Sequence, residues 1–359
     1  MLCMNLPHFL TISEQVAAYL REELIQERWS GDMPGMNSLA VELGVNSKTA
    51  DAALRLLEKE GLLVPQGAGK RRKILLPDQL ATAKPALKVA ILDYEPLEQT
   101  EVWAVAMRQQ LLSQGHNAFF TQKSLLELRM DVNRIAALVK KTPADAWVIK
   151  SGPLEVLTWF SQQETPAFAL FGRRRGLPIA GVGPDQVMAG CTAARRLIQL
   201  GHQRIAVIVR EDRHAGGVGS PERAIFKEME AHGIPTGSYN LPRWKDHSEG
   251  LHQMLEELFR FTPPTAMIID EPFLFHAVKE HLAQRGILAP AQVSLICADP
   301  DPTFAWCEPS VGHIRWDSRP VVNRVLSWVD NIAQGKDDHS QTLTKAEFID
   351  GGTVGPVPE

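Results

Sequence analysis

The chain has 359 residues, 44% of them hydrophobic and 22% charged, with a formal net charge of −4 at pH 7. That length suggests two or three globular domains, and the acidic balance excludes a general polyanion binder, so any nucleic-acid surface has to be local. The cysteines Cys3, Cys191, Cys297 and Cys307 form no CxxC pair and no zinc spacing with histidine, which points to reduced thiols, no metal and the cytoplasm.

The opening MLCMNLPHFL has neither a charged leader nor a long apolar run, and no later segment has the length a bilayer span needs, so neither secretion nor membrane insertion is expected. Thr11 and Glu14 form a T-x-x-E capping box for a first helix whose face is Ile12, Val16, Leu20 and Leu24. Trp29 and Pro34 bracket a turn. Residues 37–60 then read NSLAVELGVNSKTADAALRLLEKE, two short helical patterns around Gly44-Val45-Asn46. The second pattern places Ala50, Ala53, Leu54 and Leu57 at i, i+3, i+4 and i+7, one buried face, and leaves the opposite face and the first turn free. Such a helix-turn-helix fits a DNA major groove, although an ordinary αα-hairpin shows the same pattern. Gly61 stops the helix, residues 62–64 read as a strand, residues 65–69 as a turn, and Lys70, Arg71, Arg72 and Lys73 as a basic arm suited to phosphates.

This segment resembles a winged-helix domain of the GntR type, on Met33-Pro34-Gly35, Leu39-Ala40, Leu43-Gly44-Val45, Thr49, Ala53-Leu54, Leu57-Glu58 and Glu60-Gly61-Leu62. Ser47 and Asp51 depart from the family, which usually has basic residues there, so base reading by those side chains does not carry over. The DNA-contacting set implied is Asn37, Ser38, Asn46, Ser47, Lys48 and Thr49 with Lys70, Arg71, Arg72 and Lys73 on the wing.

From residue 77 to 85 the sequence PDQLATAKP loses apolar periodicity and reads as a linker. Beyond it, strands alternate with helices: expected strands are 87–93, 118–121, 146–150, 167–171, 204–209, 266–270 and 293–298, and a helix is expected at 100–114. Buried strands separated by helices indicate parallel sheets in a doubly wound α/β arrangement, and the length of the region suggests two lobes with a cleft. Ligands of such sheets bind beyond the carboxyl ends of the strands, which draws attention to Asp93, Tyr94, Ser151, Arg173, Arg174, Arg175, Asp270, Glu271 and Asp299. The arginine triplet is either an exposed loop or an anion site.

The region resembles the effector domain of LacI/GalR-type repressors, which has a periplasmic-binding-protein-like fold. The resemblance rests on PDQVMAGCTAARRLIQLGHQRIAVIV, with Leu200-Gly201-His202 and Arg204-Ile205-Ala206 at its centre, then Arg223, Phe226, Pro264-Thr265-Ala266, Arg285-Gly286, Val293-Ser294 and Asp299. It implies that Arg223 and Asp299 bind sugar hydroxyls and that Trp244 stacks on a sugar face. Ile269 stands where the family commonly has asparagine, which puts a standard hexose in doubt and leaves a substituted or acidic sugar open. The effector set is then Asp93, Arg173, Arg175, Arg223, Trp244, Asp270 and Asp299. No G-x-S-x-G, G-x-x-x-x-G-K-[ST] or H-E-x-x-H motif is present, and neither a catalytic residue nor a cofactor is expected.

The expected architecture is a winged helix-turn-helix domain (1–76), a linker (77–86) and a two-lobed effector and dimerisation domain (87–359). The implied function is an effector-controlled DNA-binding regulator, more readily a repressor, acting as a homodimer on a double-stranded operator. The alternative is a carbohydrate-binding protein or sugar-processing enzyme with a helical appendage.

Overall fold

A computed structural model describes residues 11–25, 28–29, 31–67, 70–75, 85–211 and 217–358. The chain divides into two units, Met1–Pro85 and Ala86–Glu359. Most of the expected linker, like the wing-tip residue Gly69 and residue 216 before the Arg223 helix, lies outside the described residues.

In the first unit, α1 (Ile12–Ile25), α2 (Met36–Leu43) and α3 (Ser47–Lys59) enclose a core of Val16, Ala17, Leu20, Leu24, Leu39, Ala50, Ala53, Leu54 and Leu57. The capping box forms: Glu14 N donates to Thr11 Oγ1 at 3.3 Å, and Thr11 N donates to Glu14 Oε2 at 2.7 Å. Ile12, expected on the buried face, is 65% exposed because it precedes the first turn that packs, and Ala17 fills the face instead. β1 (Leu63–Val64) pairs antiparallel with β2 (Lys73–Ile74), and the segment before α2 joins them through an Asp32–Lys73 bridge. This brings Met33, fully buried, under the wing.

The second unit holds two sheets. In chain order its elements are β3 (Lys88–Leu92), α4 (Val102–Ser113), β4 (Asn117–Phe120), α5 (Val132–Lys141), β5 (Ala146–Lys150), α6 (Leu154–Ser161), β6 (Ala167–Leu170), β7 (Ala180–Pro184) and α7 (Gln186–Gln199). There follow β8 (Ile205–Ile208), α8 (Ser220–Ala231), α9 (Ser248–Phe261), β9 (Ala266–Ile269), α10 (Pro272–Ala283), β10 (Ser294–Cys297), β11 (Gly312–Trp316), α11 (Ser318–Ala333), β12 (Gln341–Thr344) and β13 (Ala346–Ile349). The first sheet runs β12-β7-β6-β5-β3-β4, all parallel, and the second β13-β11-β10-β9-β8, parallel except for β13. Apolar clusters cover both sheets, with Val321, Val325 and Trp328 of α11 on the first and Ala193 and Leu197 of α7 on the second. Burial on both faces explains the apolar runs of β3, β6, β8 and β9.

The chain passes between the sheets at three places among the described residues: after β7, after β11, and at Lys345 between β12 and β13. All three lie where β7 and β12 neighbour one another in one sheet and β11 and β13 in the other, which defines a hinge edge. The opposite edges, β3 with β4 and β8 with β9, form the mouth. The tail is fastened to the second sheet: Gly355 O accepts from the buried His202, at 2.9 Å from Nε2, and Gly355 N donates to Ser294 Oγ at 3.0 Å. β7, β11, β12 and β13 have no counterpart among the expected strands.

Candidate nucleic-acid interface and ligand cleft

Asn46 closes the start of α3, its Oδ1 accepting from Thr49 N at 2.7 Å and from Thr49 Oγ1 at 3.0 Å. Two of the expected DNA-contacting side chains are therefore engaged with each other as a cap. Asn37 and Ser38 at the start of α2, and Ser47 and Lys48 at the start of α3, are exposed. The four wing cations are not equivalent. Lys70, Arg71 and Lys73 are exposed, while Arg72 is half-buried, its Nη2 donating to Asp51 Oδ1 at 2.9 Å and its Nε pairing with Glu58. Alternation along the strand turns Arg72 toward α3 and its neighbours outward. The expectation of four phosphate-facing cations is corrected to three, with Arg72 bracing the wing against α3. Asp51 also receives Arg55 at 3.0 Å, so this departure from the family pattern is the acid that holds the brace.

In the second unit, the carboxyl ends of the strands bring together more charge than was expected. Asp93, directly after β3, is fully buried, and its desolvation pushes its pKa up to about 7, with Lys150 opposing the shift. Lys150, the last residue of β5, is itself buried, pairs with Glu101, lies 3.3 Å from Glu98, and sits 4.6 Å above the Trp103 ring. The loops after β5 and β6 meet backbone to backbone: Gly172, at φ +70°, has no room for a Cβ, which would lie 2.5 Å from Gly152 O. Phe171 beside it, at φ 62°, takes a conformation costly for a side chain. That strain aims Phe171 at Trp103 (5.6 Å) and Trp316 (5.5 Å), with all three rings edge-to-face. Trp316 Nε1 donates to Asp299 Oδ1 at 2.6 Å. The cleft therefore has an aromatic group on its hinge side, built from both lobes.

The other expected ligand residues are dispersed. Arg173 Nη2 donates to Gly217 O, reaching from the first lobe to the second, and Arg175 is exposed. Arg174 lies against β7, where a Cβ at Gly181 would stand 2.4 Å from its Cδ, and burial lowers its pKa to about 10. Arg223 is exposed and folds back on its own helix, donating to Val218 O at 2.5 Å and Ser220 Oγ at 3.2 Å. Asp270 lies with Glu222, Gln186 and Ile314 around a small hollow above β8 and β9. Trp244 is a correction. It packs among Leu251, Met254 and Leu255 and donates Nε1 to Val209 O at 3.0 Å, so neither ring face is offered to a ligand.

Arg210, two residues past the end of β8, was not among the expected residues. It is buried, with Nε donating to Asp246 Oδ2 at 2.9 Å and Nη1 to Glu95 Oε2 at 3.0 Å, and Glu271 lies at 3.7 Å. The strand-end rule reaches Arg210, but its partner Glu95 is 115 residues away in sequence.

A three-helix head with a two-stranded wing, followed by a two-lobed parallel-sheet body, defines a winged-helix protein with a periplasmic-binding-protein-like domain. Residues 12–69 match the model of the gntR family of bacterial regulatory proteins, and residues 194–354 that of the periplasmic binding protein-like domain. The HTH-type transcriptional regulator AglR of Rhizobium meliloti (strain 1021) is 28% identical over 211 residues, covering 54% of this chain. The chain spans about half the length of that curated relative, 56% of it. Among solved structures, the transcriptional regulator CelR in complex with cellobiose aligns at TM-score 0.60 and 16% identity over 89% of this chain and 100% of that one. The lac repressor dimer bound to operator and the anti-inducer ONPF aligns at TM-score 0.61 and 15% identity over 78% and 99%. These relatives are regulators rather than enzymes. Among the described residues no helix is long and apolar enough to cross a membrane.

Proposed function

We propose that this chain is a cytoplasmic, sequence-specific DNA-binding transcription regulator, acting as a repressor and controlled by a sugar or sugar derivative bound between the lobes of residues 87–359. One observation carries the reading: an exposed α3 start flanked by Lys70, Arg71 and Lys73 belongs to the same chain as a hinged two-lobed body. Asn37, Ser38, Ser47 and Lys48 stand where base or phosphate contacts are made, and the three wing cations supply salt-dependent affinity. A dimer formed through the bodies presents two heads to half-sites of a symmetric operator, in keeping with the dimeric, operator-bound relative.

Asp93, Arg173, Arg175, Arg223, Asp270 and Asp299 remain the effector set, with Trp103, Phe171 and Trp316 taking the stacking role in place of Trp244. The charge of the cleft is close to balanced: Asp93, Glu95, Glu98, Glu101, Asp270 and Asp299 stand against Lys150, Arg173, Arg175, Arg210 and Arg223, with Asp93 partly neutral near pH 7, so neutral, amine-bearing and acidic sugars all belong in the screen. Effector binding shifts DNA affinity only as far as it favours one lobe arrangement over the other.

The test has two arms. Duplex DNA is titrated with the full chain and with a chain lacking residues 1–84; equal binding by both sinks the regulator reading and leaves a sugar-binding protein or sugar-processing enzyme. A thermal-shift screen against neutral, amino and acidic sugars, repeated with Trp316→Ala, places a ligand in the cleft when its shift disappears in the variant.

A further inference from the structure

The hinge strands and the Arg210 cluster lie at opposite ends of the cleft. All three crossings leave from the β7–β12 and β11–β13 edges, whereas Arg210 follows β8, the outermost strand at the far edge of the second sheet, and Glu95 follows β3, one strand from the far edge of the first. A rotation about the hinge therefore separates Arg210 and Glu95 more than it separates groups near Trp316. The Arg210 guanidinium touches both lobes there, as Arg173 does through Gly217 O elsewhere in the cleft. Nη1 reaches Glu95 of the first lobe at 3.0 Å, Nε reaches Asp246 of the second at 2.9 Å, and Tyr94 of the first lobe and Phe273 of the second flank it at 5.7 Å each. The Arg210 side chain is 8% exposed and that of Glu95 22%, so the pair is screened less than a surface ion pair.

We propose that Arg210 is a mouth latch: its bond to Glu95 holds the two lobes closed, and the cleft opens when Glu95 lets go. The division of labour among its partners makes this workable. Asp246 and Glu271 belong to the second lobe and stay with Arg210 when the lobes part, so opening leaves no guanidinium buried without a counter-charge. Glu95, released, faces water. The latch thus stores a modest preference for closure that a ligand must offset to enter, which sets where the open and closed populations stand before any effector arrives. The inference rests on the two-lobed body of the proposed regulator, but the closure itself involves neither DNA nor sugar.

The experiment is a distance measurement on the full chain without ligand. Spin labels carried by non-natural amino acids at Lys123 and Glu249, exposed positions on the two lobes, report the width of the mouth by double electron–electron resonance. Glu95→Gln is expected to add a longer-distance population, with a roughly fivefold or larger fall in the closed-to-open ratio. Glu271→Gln, which removes a partner from within one lobe, is expected to leave the distribution as in the wild type. Arg210→Lys, which keeps the charge but cannot reach both lobes at once, should open like Glu95→Gln. An unchanged distribution in Glu95→Gln, or equal opening in Glu271→Gln, overturns the latch. Because no DNA is present, either result leaves the regulator reading to its own test.

Discussion

Arg72 Nη2 lies 2.9 Å from Asp51 Oδ1, so the wing is tied to the helix beside it by one of the wing's own cations. Arg72→Ala is expected to leave the salt dependence of DNA binding near that of the wild type while destabilising the head by about 1 kcal/mol. Lys70→Ala, Arg71→Ala and Lys73→Ala should each flatten the slope of log K against log salt by about one. Anisotropy titrations of a labelled duplex at several salt concentrations separate the cases. If Arg72→Ala flattens the slope as Arg71→Ala does, Arg72 reaches phosphate and the brace is not its role.

The Asn46 cap carries a second expectation. Asn46→Ala should cost about 1 kcal/mol of head stability, and Asn46→Ser should recover most of it, because a serine hydroxyl also accepts from the third residue of the helix. Thermal unfolding of the two variants decides this. A recovery of DNA affinity without recovery of stability would show that Asn46 acts on DNA rather than on α3.

Leu57 is fully buried at the centre of the head. Leu57→Ala should cost about 2–5 kcal/mol and abolish DNA binding. Calorimetry should show one transition moving down and the transition of the two-sheet unit staying in place. A common shift of both transitions would contradict the division of the chain into two units at residue 85.

Asp93 ties stability to pH. Its folded-state pKa, about 7, lies above the ordinary carboxyl value, because burial favours the neutral form. Between about pH 4 and pH 7 the unfolded chain gives up this proton first, so the native state loses stability as pH rises. Asp93→Asn, which cannot ionise, should match the wild type near pH 4 and exceed it by about 2–4 kcal/mol at pH 8. Urea midpoints at the two pH values measure the difference; a gap that does not grow with pH refutes the expectation.

Sequence periodicity gave away the elements whose surroundings are uniform. Ala50, Ala53, Leu54 and Leu57 face one core, and β9, β5 up to Lys150 and β10 after Ser294 are apolar because both faces are covered. β7 escaped notice because Gly181, Gly183 and Pro184 interrupt its apolar run, and the glycines are there to admit Arg174. β12 is a largely exposed edge strand whose single apolar residue, Leu343, is itself exposed, with no alternation to betray it. The cleft was legible only in part. A strand end marks position but says nothing of direction, so Asp93 was found while Arg210 and Lys150, which carry no motif, were passed over. Trp244 misled for the same reason: a tryptophan near the right place in sequence is equally able to fill a core.

Lys345 alone separates β12 from β13, and the two strands complete different sheets. In a chain made from its N-terminus, both lobes therefore wait for the same late stretch of synthesis. Until residues 341–349 emerge, β7 and β11 each present an unpaired edge, and these are edges built to accept a strand. A nascent or truncated chain thus carries two adhesive borders at once, which makes the last strands the point at which an assembling body is safe from its neighbours.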